Sequence, residues 1–226
     1  MISKDILRQV VTKQKSELNL KLETTKRDIL DEVLQWIEDN RVIILTGVRR
    51  CGKSTLLKQL MAQTTQWSYI NFEDERLLDF RAQDFEILNE VLIETYGSTK
   101  IYFFDEIQNI DKFETFVRRL QDDNKKIIIT GSNAALFSQE FGTRLTGRCK
   151  AFEIYPFSFS EYLRFKNIKT TKEDWYEVEK KVKLLKLFEE YLTIGGLPEY
   201  IKNKDKDYIR TIFENILYKD IIADTQ

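Results

Sequence analysis

The stretch Arg41-Val42-Ile43-Ile44-Leu45-Thr46-Gly47-Val48-Arg49-Arg50-Cys51-Gly52-Lys53-Ser54-Thr55-Leu56-Leu57 decides the fold. Residues 42–45 are a short, branched apolar run closed by a glycine, the pattern of a strand buried on both faces. From Lys53 the apolar residues return at helical spacing through KSTLLKQLMAQ (53–63). The reading is strand, tight loop, helix. Residues 47–54 fit G-x-x-x-x-G-K-[ST], a pattern that arises by chance in a chain of this size on the order of one time in a hundred. Gly47 and Gly52 let the loop adopt conformations closed to other residues and approach a ligand closely, with successive N–H groups turned inward. The N-terminus of the following helix adds unpaired N–H groups and the positive end of its dipole. Gly47, Val48, Arg49, Arg50, Cys51, Gly52, Lys53, Ser54 and Thr55 are therefore expected around a nucleotide's phosphates, with Arg49 and Arg50 as peripheral contacts. Lys53 is expected to bridge the β- and γ-phosphates, and the Ser54 hydroxyl to ligate Mg²⁺.

The same alternation recurs on either side. Residues 4–20 and 25–39 read as helices, the second with Thr24 or Thr25 as a possible N-cap. WSYINF (67–72), KIYFF (100–104), KIIIT (126–130) and CKAFEIYPF (149–157) supply further strand signals. Helical sequence lies between them, up to about residue 96, over 111–121 and over about 133–141. Buried apolar runs alternating with helices predict an α/β fold, a parallel five-stranded sheet covered on both faces. Beyond Pro156 only helical patterns remain. The expected division is a core with N-terminal helices over 1–157 and a helical segment over 158–226. Gly195-Gly196-Leu197-Pro198 reads as a helix stop.

Ile101-Tyr102-Phe103-Phe104-Asp105-Glu106 is an apolar strand ending in two carboxylates. Asp105, at the strand tip, suits the carboxylate that a nucleotide-bound Mg²⁺ needs. Hydrolysis also needs a group to orient or deprotonate water, and in a chain without histidine Glu106 is the natural candidate. The adjacent Glu suggests a sheet with an extra strand between the loop strand and the acidic strand. KIIITGSN (126–133) fits that place, which sets Ser132 and Asn133 between Glu106 and the γ-phosphate. Asn133 is then either a neutral γ-phosphate or water contact, or the N-cap of the next helix, and the two roles are compatible. Asn71, Glu73 and Asp74 end the second strand and either restrain Glu106 or cap a turn.

Composition excludes a good deal. With 2 Pro, 8 Gly and 32% charged residues the chain is neither collagenous nor low-complexity. Thirty-six basic against 37 acidic residues leave a net charge of −1, which argues against indiscriminate nucleic-acid coating. The absence of histidine removes imidazole bases, His metal ligands and Ser-His-Asp triads. Two distant cysteines make neither a zinc site nor a disulfide framework. Cys51, beside a helix N-terminus and two arginines, is expected to ionise readily and to react faster than Cys149. No apolar run is long enough to span a bilayer, and the first ten residues lack a signal-peptide core, so a cytoplasmic protein without a membrane partner is expected.

The motifs GVRRCGKSTLL, YINFEDERL, YFFDEIQNI, IIITGSNAALF, GTRLTGR, IYPFSFSEYL and YLTIGGLPEY together resemble the AAA+-like P-loop ATPases of bacteria and archaea. The resemblance covers roughly residues 20–226. It implies ATP/ADP and Mg²⁺ as ligands, hydrolysis of the phosphoanhydride, a sheet of order 5-1-4-3-2 and a small C-terminal helical lid. In such proteins an arginine of the GTRLTGR region often reaches a neighbour's γ-phosphate, which makes Arg144 or Arg148 the candidate finger and implies a homo-oligomer. Their ATPase is often followed by an uncharacterised C-terminal domain, whereas this chain ends at Gln226, so that domain is expected to be absent or truncated. A protein or DNA partner is implied without being specified. The remaining alternative is a nucleotide-gated switch with negligible turnover.

Overall fold

The computed structural model describes residues 1–18, 20, 24–131 and 147–215. They fall into two compact units. The first comprises Met1–Leu22, Ile29–Gly47 and Lys53–Glu153. In chain order it contains α1 (Lys4–Glu17), α2 (Leu30–Leu34), β1 (Val42–Thr46), α3 (Lys53–Gln63), β2 (Trp67–Asn71), α4 (Phe85–Tyr96), β3 (Ile101–Asp105), α5 (Phe113–Asp122), β4 (Lys126–Gly131) and β5 (Cys149–Glu153). The five strands are parallel and ordered β2-β3-β4-β1-β5. This is the expected order 5-1-4-3-2, with β4 inserted between the loop strand and the acidic strand.

Strand alternation sends successive side chains to opposite faces. Val42, Ile44, Ile70, Tyr102, Phe104, Ile127 and Ile129 share one core with buried residues of α1, α4 and α5. Phe85 stacks on Phe116 with centroids 4.4 Å apart and meets Phe80 edge-on at 4.9 Å. Burying each such ring contributes about 2–3 kcal/mol. The exposed edge of β2 is closed by a side chain. Gln14 on α1 donates through Nε2 to Asn71 O (3.0 Å) and accepts from Asn71 N through Oε1 (2.9 Å), as a neighbouring strand would.

The second unit comprises Glu23–Asp28, Val48–Gly52 and Ile154–Gln226. It contains α6 (Phe159–Phe165), α7 (Val178–Ile194), α8 (Pro198–Asn203) and α9 (Lys206–Asn215). Its core joins Phe157, Tyr162, Leu163, Leu184 and Ile201. Ser158 opens α6 with a capping box: Oγ accepts from Glu161 N, and Glu161 Oε2 accepts from Ser158 N at 2.9 Å. The Gly-Gly-Leu-Pro segment both stops a helix and starts one. Gly195 ends α7 at φ +73°, and Pro198 opens α8. At Gly196 a Cβ would lie 2.2 Å from Phe157 O, so the residue must be glycine for packing reasons.

One expected element is shorter than read. The helix over 25–39 forms only as Leu30–Leu34, followed by i→i−3 turns at Trp36 and Ile37. Residues 24–28 leave the helix because Arg27 is drawn into a buried ion pair with Glu161. The helix expected over 133–141 lies outside the described residues.

Candidate functional site

Parallel strands end on one edge of their sheet, and connections leaving that edge collect the polar residues. In the first unit this edge carries Gly47 after β1, Asp105 at the tip of β3, and Thr130 and Gly131 at the end of β4. Gly47 leaves β1 at φ +142°, a conformation that glycine adopts without strain. Lys53 is the first residue of α3 and only 4% exposed. Its Nζ donates to Gly47 O at 3.0 Å and stands 3.7 Å from Glu106 Oε1.

Asp105 is 1% exposed, yet its carboxylate is well supplied with donors. Thr130 Oγ1 donates to Oδ1 at 2.5 Å, Tyr69 OH donates to Oδ2 at 3.3 Å, and the Ser54 hydroxyl bonds to it as well. Burial pushes its pKa above the ordinary carboxylate value, opposed by the Thr130 bond and assisted by the neighbouring Glu106 charge. Burial likewise raises the Tyr69 phenol. Ser54 and Asp105, the two expected metal ligands, are thus already in contact. Among the described residues no three Asp, Glu or Cys side chains cluster as a metal cage. A cation held by this pair needs oxygens from a phosphate ligand and water, as Mg²⁺ ordinarily has.

Glu106 sits in the left-handed region at φ +53°, ψ +43°. For a residue with a side chain this costs on the order of 1 kcal/mol or more. Its N–H is held by Thr130 Oγ1 at 2.9 Å, which offsets the cost and turns the chain at the strand tip. The carboxylate accepts from Gln108 Nε2 at 2.5 Å. Asn71 and Asp74 do not restrain it. Asn71 Oδ1 accepts from Glu73 N, and Asp74 caps the turn over Glu75–Leu77 while pairing with Arg76.

Val48–Gly52 belongs by its contacts to the second unit. Arg50 adopts φ +63°, pairs with Glu199 Oε2 at 3.2 Å and lies over the Tyr208 ring at 5.0 Å. Gly52 adopts φ +105°. Cys51 is fully buried, which corrects the expected reactivity: a helix N-terminus activates a thiol only where a reagent can reach it. Cys149 is half-buried, with its thiol pKa raised by desolvation. A maleimide should therefore modify Cys149 slowly and Cys51 more slowly still, read by mass spectrometry of the native protein. Modification of Cys51 first would show that the loop opens faster than its burial implies.

The structure brings Lys53, Ser54, Asp105 and Glu106 together within one unit. It does not bring Arg148 to them. Arg148 precedes β5, whose Cys149 pairs with Val42 at the start of β1, so it stands at the opposite edge of the sheet, about 15 Å of strand away. There it pairs with Asp122 Oδ1 at 2.8 Å. Ser132, Asn133 and Arg144 lie outside the described residues. Thr130, Tyr69 and Gln108 were missed in the sequence. Thr130 had a usable signal: Phe104 pairs with Ile129, so aligning the polar tips of two apolar strands places Thr130 level with Asp105.

The profile of a family described as an AAA domain matches residues 39–163. An uncharacterized protein of Methanocaldococcus jannaschii is 36% identical over 98% of this chain and 50% of its own length. Another, from Haemophilus influenzae, is 33% identical over 87% of the chain and 50% of its own length. The chain spans about half the length of these curated relatives. Among solved structures, the Walker-type ATPase of Pyrococcus abyssi aligns with TM-score 0.45 and 18% identity, over 85% of this chain and 72% of that one. With its loop strand beside an inserted strand and its acidic strand third along, the chain belongs to the AAA domain family of P-loop ATPases.

Proposed function

We propose that the chain binds ATP with Mg²⁺ and hydrolyses the bond between the β- and γ-phosphates. The observation that supports this best is the convergence of Lys53, Ser54, Asp105 and Glu106 on one sheet edge, with Ser54 and Asp105 already bonded to each other. Gly47, Gly52 and the N-terminus of α3 present backbone N–H groups to the phosphates, with Val48, Arg49, Arg50, Cys51 and Thr55 completing the loop. Lys53 exchanges the Gly47 carbonyl for phosphate oxygens. Ser54 and Asp105 hold Mg²⁺, which supplies charge stabilisation to the transferred phosphoryl group. Glu106 orients a water and takes its proton as the oxygen bonds to the γ-phosphorus. The bond to the β-phosphate oxygen breaks, and ADP and phosphate leave. Asn133 is assigned the neutral γ-phosphate contact.

Hydrolysis in this reading drives a conformational change in an appended domain or partner, protein or DNA. The test is phosphate release by the purified chain with ATP, with and without Mg²⁺ and with DNA added. Release that requires Mg²⁺ is expected. ATP binding without turnover would identify a nucleotide-gated switch, and absence of binding would end the proposal.

Arg148 is assigned to the γ-phosphate of a neighbouring subunit, since strand geometry keeps it from its own. Arg148→Ala should leave ATP affinity within about threefold, which is under 1 kcal/mol. It should abolish any rise of specific activity with protein concentration, a rise that a finger acting between subunits requires. Activity independent of concentration in the parent would leave Arg148 as a partner of Asp122 alone.

A further inference from the structure

Arg27 lies twenty residues before the phosphate loop, yet it is 3% exposed and holds that loop's backbone. Its guanidinium spends each nitrogen on a different segment of the second unit. Nε donates to Glu161 Oε1 at 2.8 Å, NH1 to the carbonyl of Cys51 at 2.9 Å, and NH2 to the carbonyl of Tyr155 at 2.6 Å. The guanidinium carbon lies 5.3 Å from the centre of the Phe157 ring. Glu161 is equally buried and is fixed from both sides: Oε1 also accepts from Asp28 N at 2.8 Å, and Oε2 accepts from Ser158 N. A planar fork with donors in fixed directions can serve three acceptors in this way, which a lysine ammonium on a flexible stem cannot.

We propose that Arg27 is a positioning residue for the phosphate loop, setting the direction of the peptide between Cys51 and Gly52. In a trans peptide the C=O and N–H point opposite ways, and the chain has no cis peptide among its described residues. With the Cys51 carbonyl drawn toward Arg27, the Gly52 N–H is turned away from it, free of the guanidinium and available to an anion. The same contact explains Gly52 more fully than the motif does. Its φ of +105° disfavours side chains, and a Cβ would stand 2.7 Å from Arg27 NH1. Buried ion pairs contribute little net stability because desolvation opposes their attraction. A neutral pair of similar volume therefore suits the folding of this unit, and the guanidinium's distinct contribution is the carbonyl it orients.

This inference rests on the nucleotide-binding reading above, so the parent, Lys53→Ala and Arg27→Lys are titrated together with Mg-ATP by calorimetry. Near-UV circular dichroism reports the folded fraction at the titration temperature. Arg27→Lys should bind at least tenfold more weakly while remaining folded. Arg27→Met/Glu161→Gln removes both charges, leaves an acceptor for Asp28 N, and should show the same loss if Arg27→Lys does not fold. Millimolar guanidinium added to Arg27→Ala should recover part of the affinity, an effect specific to the missing fork. A folded Arg27 variant that binds Mg-ATP like the parent, while Lys53→Ala does not, overturns the positioning role and leaves the binding site standing. A parent that binds no Mg-ATP overturns the nucleotide reading itself.

Discussion

Glu106→Gln should lower the rate of ATP hydrolysis by at least about 100-fold, the usual contribution of a positioned general base, while ATP affinity stays within about threefold. The substitution is nearly isosteric. The amide oxygen can still occupy the place of one carboxylate oxygen, but the amide cannot accept the water's proton. The φ +53° backbone and the bond from Glu106 N to Thr130 Oγ1 do not depend on the side-chain charge, so the turn at the end of β3 is retained. Two contacts do change. Gln108 Nε2, now 2.5 Å from a carboxylate oxygen, loses a charged acceptor, and Lys53 loses an opposite charge 3.7 Å away. Both effects fall on the site rather than on the core. Steady-state phosphate release and calorimetry on the same preparation separate the outcomes. Hydrolysis at the parental rate would show that another group activates the water.

Lys53→Ala should weaken ATP binding by at least about tenfold, or ~1.4 kcal/mol. The magnitude follows from where the ammonium sits. At 4% exposure it is shielded from bulk water, so its attraction for phosphate is screened less than that of a surface lysine. Its Nζ donates to Gly47 O, a bond that a phosphate must replace. Alanine removes both that bond and the charge, so the loop meets the phosphates through its backbone N–H groups without a lysine cation. Alanine is also a good first residue for α3, so the helix is expected to persist and its circular dichroism to match the parent. Unchanged affinity would remove the phosphate-binding role of the loop.

Much of the fold was legible because its signals are local. The apolar runs 42–45, 101–104 and 127–129 are too short for helices and too apolar for exposed strands, so each announces a strand covered on both faces. Asp105 and Glu106 stood out because two carboxylates closed such a run. The inserted strand was inferred from that Glu, and β4 lies between β1 and β3 as expected. The limit of α2 was not legible. Residues 25–39 carry a helical spacing, but Arg27 gains three acceptors by leaving it, and those acceptors come from residues 51, 155 and 161.

The same distinction separates the parts of the site. The sequence alone determined the alternation of strands and helices, and it singled out the G-x-x-x-x-G-K-[ST] loop with Lys53, Ser54, Asp105 and Glu106 as candidates that the structure brings to one sheet edge. Period, glycine placement and charge at a strand end are properties of neighbouring residues. Only the tertiary structure decided that Thr130 bridges Asp105 and Glu106, that Gln108 rather than Asn71 holds Glu106, and that Arg148 stands at the far edge of the sheet. It also decided that Cys51 is buried, reversing a reactivity inferred from its charged neighbours. These outcomes depend on the register of parallel strands and on which buried polar atoms lack a local partner. A buried donor or acceptor must be satisfied. The residue that satisfies it is chosen by proximity in space, and local spacing along the chain carries no record of that choice.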